Sequence, residues 1–347
     1  MSIVALRYLL SFSLYIFAYI SFSSSGIWTF TLVFYVYFFV PLLELISKPN
    51  YSNTSINNEK NKINKKIYDY IIFLVFPFQY YFLFYFLHTF SIDLTTTEKI
   101  GRIISMGALC AHTINVAHEL GHRFNKFDQL LSKLLLLSTL NTHFFIEHNR
   151  GHHKKVATLE DPATARKNEN VYIFIIRSMV FGYISAWNLE ITRLKNNGTA
   201  NYFFNFRNQM TRFTLLQLTL LSVIYLIFGI NVLIAFLIVS FLGIAQLELI
   251  NYIEHYGLLR KKLHNGKYEK ITKMHSWNAN YMFSRLMLFE LTRHSNHHIK
   301  ASRKYQILNH LEKSPELPTG YIGCMLLSFI PPLWFYIMNP LVEKYQK

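Results

Sequence analysis

The sequence predicts an all-α integral membrane protein with about six transmembrane helices and a histidine-rich helical cap at one end of them. Of its 347 residues, 52% are hydrophobic and 17% aromatic, a composition too apolar for two soluble domains. Six apolar runs approach the roughly 20 residues that cross a bilayer. Nine of the fifteen histidines lie in four short clusters beside these runs. We therefore treat residues 1–347 as one membrane domain, with 251–347 as a cytoplasmic C-terminal region.

Each predicted span is an apolar stretch bounded by polar residues. Arg7 and the serines that follow the first stretch also fit a cleaved signal peptide, but the stretch is long for a signal-peptide core, so we expect it to be retained. The second and third stretches are separated by a segment rich in Asn, Lys and Ser (47–66), which we expect to be a flexible loop. In order, the predicted spans are 4–21, 27–46, 70–90, 101–118, 212–228 and 232–250.

The distribution of charge predicts which side of the membrane each loop occupies. The net charge of +16 would suggest nucleic-acid binding in a soluble protein. The connections near 22–26 and 229–231, however, carry no Lys or Arg, which is the asymmetry of the positive-inside rule. The 47–66 loop is therefore predicted to be cytoplasmic, and nucleic acid is not an expected partner. Its basic residues, set against the single Glu59, are Lys48, Lys60, Lys62, Lys65 and Lys66.

Counting spans from this loop places all four histidine clusters on the cytoplasmic face if two further segments do not cross the membrane. These segments are 127–146, which contains Lys133, and 171–189, which contains Arg177. A charge at bilayer depth is costly, so both are predicted to be interfacial amphipathic helices. The terminal apolar stretch 321–338 is interrupted by two prolines and is also predicted to be interfacial.

The spacing within the clusters is typical of metal ligands. Histidines three or four residues apart lie on one face of a helix, and neutral imidazole is the commonest metal ligand in proteins. Nine histidines are too many for one ion, so the sequence predicts two metals. The ligand type leaves iron, copper, zinc and nickel open. The candidate ligands are His118, His122, His148, His152, His153, His255, His294, His297 and His298.

Carboxylates and cysteines refine this prediction. Acidic side chains that accept hydrogen bonds from imidazole would fix the ring orientation, although direct ligation by one or two of them stays open. The candidates are Glu119, Asp161 and Glu254, with Glu147, Glu160 and Glu290 as further acidic neighbours. Only Cys110 and Cys324 occur, so a cysteine-based zinc or iron–sulfur site is not available. Electrons for redox chemistry would therefore come from another protein.

Two alternative functions follow from the same histidines. The sequence H-E-L-G-H at 118–122 also fits the zinc metalloprotease pattern, in which Glu119 would be the general base. That interpretation uses one catalytic zinc with three protein ligands and leaves most of the clustered histidines unexplained. A non-enzymatic metal store is the second alternative.

The residues around the histidines resemble the membrane-bound alkane 1-monooxygenases, within the wider superfamily of membrane fatty acid desaturases and hydroxylases. The similarity covers most of 27–340. It rests on A-H-E-L-G-H-R, E-H-N-R-G-H-H-K-K-V-A-T-L-E-D-P-A, N-Y-I-E-H-Y-G-L-L-R, L-T-R-H-S-N-H-H, R-K-Y-Q-I-L, L-P-T-G-Y and V-P-L-L-E-L-I.

This resemblance implies a nonheme diiron centre held by the nine histidines and hydroxylation of the terminal methyl group of medium- or long-chain n-alkanes. It also implies O₂ as oxidant, rubredoxin and a rubredoxin reductase as the electron source, and a site on the cytoplasmic face of a bacterial inner membrane. We expect rubredoxin to act in trans. Asn296 stands where the family commonly has an acidic residue. Related diiron hydroxylation or desaturation of alkyl-aromatic or acyl-lipid substrates is the alternative, and a homo-oligomer stays open.

Two surfaces are predicted to serve this reaction. Hydrocarbon is expected to enter from the bilayer between the spans, where aromatic residues of the second span either line a channel or face lipid. They are Tyr35, Tyr37, Phe38 and Phe39. A cationic face is expected to attract either an acidic electron donor or anionic lipid headgroups. Its residues are Lys154, Lys155, Arg260, Lys261 and Lys262.

Overall fold

The computed structural model describes residues 3–199 and 201–346, and it confirms the predicted all-α membrane class. Within the described residues, extended pairing is limited to isolated bridges, such as that between Asn278 and Glu316. The main helices are α1 (Val4–Ser23), α2 (Gly26–Ile46), α3 (Ile56–Ile63), α4 (Lys66–Phe90), α5 (Thr96–Gly121), α6 (Lys126–Leu137), α7 (Val171–Asn196), α8 (Gln209–Phe228), α9 (Ile230–His255), α10 (Met282–Met287), α11 (His294–Ile299), α12 (Tyr321–Ser328) and α13 (Pro331–Tyr345).

Seven of these helices are long and apolar enough to cross a membrane, namely α1, α2, α4, α5, α7, α8 and α9. Six of the seven contain the predicted spans and extend beyond them. The extension matters most in α9, which continues to His255, so this isolated histidine is still held by a long helix. The protein is therefore an integral membrane protein.

Helix α7 is the seventh candidate by length and composition, whereas 171–189 was predicted to be interfacial. Its contacts hold both of its ends beside the segment that carries the second histidine cluster. Arg177, near the beginning of α7, donates to two carbonyl groups of the 158–165 loop, each at 3.1 Å. Near the end of α7, the carbonyl of Leu189 accepts a 2.9 Å hydrogen bond from Arg150. These contacts favour a helix that lies along the histidine layer.

The predicted interfacial helix over 127–146 is wrong in its extent. Helix α6 ends at Leu137, and the chain turns through Leu140, which has a φ of 54°. A helical stretch then restarts at Phe144 and continues through the second histidine cluster. Because left-handed backbone is costly for leucine, surrounding tertiary contacts rather than local preference place this break.

The helices that frame the site begin with polar caps. Asn125, Asn170 and Asn208 each accept a hydrogen bond from the backbone N–H two residues later. Thr95 and Glu98 form a capping box at the start of α5. Such caps satisfy backbone donors that have no partner within the helix, and they explain why α5 to α8 start where they do.

The contact between α5 and α9 forms the centre of the bundle and positions the site. A Cβ atom added at Gly243 of α9 would lie 2.6 Å from the Cβ atom of Cys110 on α5. The two backbones therefore approach closely because residue 243 has no side chain. Both helices then continue to the same layer, where His118 and His255 lie near their ends.

Helix α1 is part of this packed structure. The hydroxyl group of Tyr8 donates to Glu290 at 3.0 Å, and the side chain of Ser11 lies 3.0 Å from Nε2 of His112. Its apolar residues Leu14, Ala18 and Phe22 are buried in the core. These contacts make the first apolar segment part of the packed core.

The 47–66 segment differs from the expected flexible loop, because it is tied to the cap. Arg285 donates to the carbonyl of Asn50 at 2.8 Å, and Arg293 donates to the carbonyl of Ser52 at 2.8 Å. These partners are more than 200 residues away in sequence. Local composition therefore carried no sign of this attachment.

Candidate metal centre

The four histidine clusters meet where the central helices end. His118 lies in the last turn of α5, and His255 is the last residue of α9. The second cluster lies on a helical stretch whose His148–His152 turn has the wider π winding. Helix α11 provides the remaining histidines. Four separate chain segments thus converge on one buried region.

The nine histidines form two groups, and within each group one nitrogen of every ring lies within 4.8 Å of the others. Eight of the rings are held by helical backbone, and His122 follows α5 directly. The group of five histidines is partly open to solvent, whereas all four histidines of the other group are buried. The first group is His118, His122, His148, His153 and His297, and the second is His152, His255, His294 and His298.

The distances between ring nitrogens fit metal binding. In the first group, Nε2 of His118 lies 3.0 Å from Nε2 of His297, and Nε2 of His148 lies 3.0 Å from that of His122. In the second group, Nε2 of His294 lies 3.1 Å from Nε2 of His255. Two nitrogen ligands about 2.1 Å from one ion, at about 90° to each other, are about 3.0 Å apart. The donor set therefore fits a metal ion in each group.

The environment keeps most of these imidazoles neutral, which is the form that binds metal. Burial lowers the pKa of His297 to about 3. Burial also holds the pKa of His122, His148 and His153 well below the usual value, and neighbouring histidines lower it further. A neutral ring has a free lone pair at physiological pH, so these histidines are ready to bind a cation.

His152 is oriented by a carboxylate. Its Nδ1 lies 2.9 Å from Oδ2 of Asp161, which also accepts a 2.6 Å hydrogen bond from Thr164. Burial by itself would lower the pKa of His152, but the acidic side chains around the ring, Asp161 above all, together outweigh burial and raise the pKa. With the proton on Nδ1 facing Asp161, Nε2 is left to face the second histidine group.

The other two predicted carboxylates differ from Asp161. Oε2 of Glu254 lies 3.2 Å from Nε2 of His294, the nitrogen that faces the second group. Glu119 instead accepts from the guanidinium of Arg123 at 3.1 and 3.2 Å and from the backbone N–H of Tyr305. Its contacts are those of a buried structural carboxylate, and they differ from those of a general base on zinc-bound water.

The three remaining acidic neighbours also differ from one another in their surroundings. Glu147 is buried, and burial together with Asp161 raises its pKa. Glu290 accepts from Arg285 at 2.7 Å and from Tyr8, so the expectation that it orients an imidazole is wrong. Glu160 is exposed at the surface. His143, outside the nine, packs its ring against Tyr183.

One buried carboxylate beside the site was missed from the sequence. Glu248 on α9 is 8% exposed and accepts a 3.1 Å hydrogen bond from Asn251. It is one of the acidic side chains that raise the pKa of His152. Glu248 precedes His255 by two helical turns and therefore lies on the same face of α9, a signal that the sequence did contain.

Long apolar helices together with nine clustered histidines define a membrane protein with a histidine-rich site that could hold metal. Comparison with known proteins identifies the particular family. The fatty acid desaturase family model matches residues 100–337. The chain belongs to this membrane desaturase and hydroxylase family and, within it, to the alkane 1-monooxygenases, a family of nonheme iron enzymes.

The relatives that define this membership align over most of the sequence. Alkane 1-monooxygenase 1 of Pseudomonas aeruginosa is 42% identical over 71% of this chain and 64% of its own length. Alkane 1-monooxygenase 2 of Alcanivorax borkumensis is 35% identical over 92% of this chain and 84% of its own length. Alkane 1-monooxygenase of Acinetobacter baylyi is 38% identical over 89% and 75%, respectively. The resemblance seen in the sequence motifs is thereby confirmed.

Proposed function

We propose that the protein is a diiron alkane hydroxylase that converts the terminal methyl group of medium- or long-chain n-alkanes into a primary alcohol. The convergence of nine histidines into a group of five and a group of four carries this proposal. In the overall reaction, one oxygen atom of O₂ enters the C–H bond and the other leaves as water, with two electrons and two protons supplied. Iron bound by the histidines would supply the activation of O₂.

The protein's own residues would hold the two irons and limit access to them. The group of five histidines would bind one iron and the group of four would bind the other, so that all nine histidines are proposed as ligands. Asp161 would fix the ring of His152. Glu254, whose carboxylate oxygen lies 3.2 Å from Nε2 of His294, is the carboxylate best placed to reach an ion in the second group.

A narrow apolar cavity among the spans is the proposed position of the hydrocarbon. Tyr37, Val40, Ala108 and Met287 line it. Of the four aromatic residues considered in the second span, only Tyr37 is part of the lining. Tyr35 stacks on Phe17, while the remaining two lie on the outside of the bundle: Phe38 and Phe39.

The cavity lies on the membrane side of the metal centre. Its lining includes His112 of α5, six residues before His118, and Ile250 of α9, five residues before His255. At a rise of about 1.5 Å per residue, these positions are roughly 8–9 Å along the helices from the histidines. A hydrocarbon bound in this cavity would have one end directed toward the metals, in a site from which water is excluded.

The cationic face lies next to the more open histidine group, and we propose that an acidic rubredoxin docks there in trans. Lys154 and Lys155 directly follow His153, which is one of the two partly exposed members of that group. Arg260 donates to the carbonyl of Lys154 at 3.0 Å, which joins the basic 260–262 segment to the same surface. A rubredoxin reductase would resupply the donor. Opposite charges would speed this encounter.

We further propose that this histidine face is cytoplasmic and that the protein resides in the bacterial inner membrane. The Lys-rich segment 47–66 supports this orientation through the positive-inside rule, and its Asn50 and Ser52 attach to the histidine-bearing cap. Substrate would then arrive from the bilayer and electrons from the cytoplasm. A homo-oligomer is compatible with this arrangement.

The decisive experiment combines metal analysis with product identification. Purified full-length protein should contain about two irons per chain and, with rubredoxin, its reductase and O₂, convert n-alkanes to 1-alkanols. The substrate panel should include alkyl-aromatic and acyl-lipid compounds. Preferred turnover of either would favour the alternative hydroxylase or desaturase activity. One zinc without iron would contradict the diiron proposal.

A further inference from the structure

A polar cavity of about 370 Å³ lies on the far side of α10 from the hydrocarbon cavity and outside the histidine groups. Its wall combines the beginning of α1, the 50–58 segment and the turn that precedes α11. Four cationic side chains line it, against one carboxylate, Glu290. The four are Arg7, Lys62, Arg285 and Arg293.

The carboxylate is already engaged, which leaves an excess of positive charge. Glu290 accepts from Arg285 at 2.7 and 3.1 Å and from Tyr8 at 3.0 Å. Burial lowers the pKa of Lys62, and Arg293, Arg285 and Arg7 lower it further against the opposing effect of Glu290. The three arginines therefore each disfavour the charge on Lys62, and an anion beside it would offset this cost.

The cavity also contains polar groups that a ligand would satisfy. Gln306 is 3% exposed, lines the cavity, and has no hydrogen-bond partner for either its amide nitrogen or its amide oxygen. Ser55, the residue before helix α3, lines the cavity, and its side chain makes no capping bond. The first N–H groups of a helix favour an anion. The unpartnered amide nitrogen of Gln306 and the beginning of this helix both indicate a ligand that accepts hydrogen bonds.

The position and chemistry of the cavity fit a phosphate group. Arginine, lysine and amide donors together suit an oxyanion with several acceptor oxygens. Val4, at the beginning of the first span, and Leu286 provide an apolar edge. We propose that this cavity binds a phosphate group, supplied either by the headgroup of an anionic phospholipid or by free phosphate.

The proposal predicts selective loss of phosphate binding on removal of one cation. Detergent-purified full-length protein is titrated with inorganic phosphate at constant ionic strength by calorimetry. The phospholipid retained from vesicles of phosphatidylcholine, with or without phosphatidylglycerol, is counted by native mass spectrometry. Lys62→Gln should weaken phosphate binding or lipid retention roughly tenfold or more. Lys60→Gln, at an exposed position of the same helix outside the cavity, is the matched control.

The phosphate titration and the lipid count distinguish the two sources of the phosphate group. Retention of one phosphatidylglycerol by the wild type, lost in Lys62→Gln and kept in Lys60→Gln, supports the lipid headgroup. Saturable binding of inorganic phosphate that is lost in Lys62→Gln and kept in Lys60→Gln, without retained lipid, supports free phosphate. Arg7→Gln, at an exposed cation of the wall, provides a second variant if Lys62→Gln fails to fold, and unchanged metal content verifies folding. Absence of both signals in the wild type, or equal losses in the control, would overturn the proposal.

Discussion

Oδ2 of Asp161 lies 2.9 Å from Nδ1 of His152, and both side chains are almost fully buried. This contact fixes which nitrogen of the ring faces the second histidine group. We predict that Asp161→Ala lowers metal affinity about 10- to 100-fold, because an unfixed ring is a weaker ligand. Iron retention during titration with a chelator measures the effect. Glu160→Gln, which changes the adjacent exposed carboxylate, should retain iron as the wild type does, and equal retention by both variants would contradict the assignment.

His255 tests the composition of the second histidine group. His255→Ala should reduce the iron content by about one ion per chain and abolish hydroxylation, since the group would retain three imidazoles. Iron quantification and conversion of n-alkane to 1-alkanol measure the two effects. His264→Ala changes an exposed histidine outside both groups and serves as the control. Full iron content and activity in His255→Ala would show that this residue is not a ligand.

Gly243 tests the close contact between α5 and α9. In Gly243→Leu, the new side chain would meet Cys110 and push apart the helices that hold His118 and His255. Overpacking of this kind costs about 1–3 kcal/mol, so we expect a lower Tm in detergent together with loss of iron. Gly182→Leu on α7 adds a side chain where nothing lies within 4 Å of the Cβ position. If both variants melt alike, the contact does not limit stability.

The orientation of α7 can be tested by labelling single cysteines. If α7 lies along the histidine layer, Lys167→Cys and Asn197→Cys at its two ends will react from the same side of the membrane with a thiol reagent that does not cross it. Asp93→Cys, in the connection between α4 and α5, will react from the opposite side. The native Cys110 and Cys324 are buried and give little background. Labelling of residues 167 and 197 from opposite sides would mean that α7 spans the membrane.

The cationic face can be tested through its effect on the electron donor. Lys154→Glu should raise the KM for rubredoxin and weaken its dependence on salt, because a charge that attracts the donor has been reversed. The product formed per electron should stay unchanged. Lys313→Glu reverses another exposed lysine, outside the proposed face. Steady-state kinetics at several ionic strengths provide the comparison, and similar KM changes in both variants would favour a general charge effect.

Much of the site could be predicted because its signals are local. The spacing of His118 and His122, and of His294, His297 and His298, follows directly from the helical repeat. The contacts that were missed or misjudged depend instead on residues that are far apart in the sequence. Glu290 stands four residues before His294 in sequence, yet it binds Arg285 and Tyr8, and this choice depends on the position of α1.

The 47–66 segment shows the same limit. Its composition is typical of a flexible loop, but Asn50 and Ser52 are held by Arg285 and Arg293. A hydrogen bond between residues more than 200 positions apart leaves no periodic pattern in the sequence. The phosphate cavity that these residues line was for the same reason not foreseen.

The sequence by itself determined the membrane class, the candidate ligands and the family, because apolar run length, histidine spacing and motif identity are properties of contiguous residues. Only the tertiary structure decided how the nine histidines divide into five and four, that Asp161 rather than Glu119 or Glu290 orients a ring, and that α7 keeps both ends beside the histidine layer. These outcomes depend on which helices pack together. The close approach at Gly243 and the buried polar contacts between distant segments fix that packing.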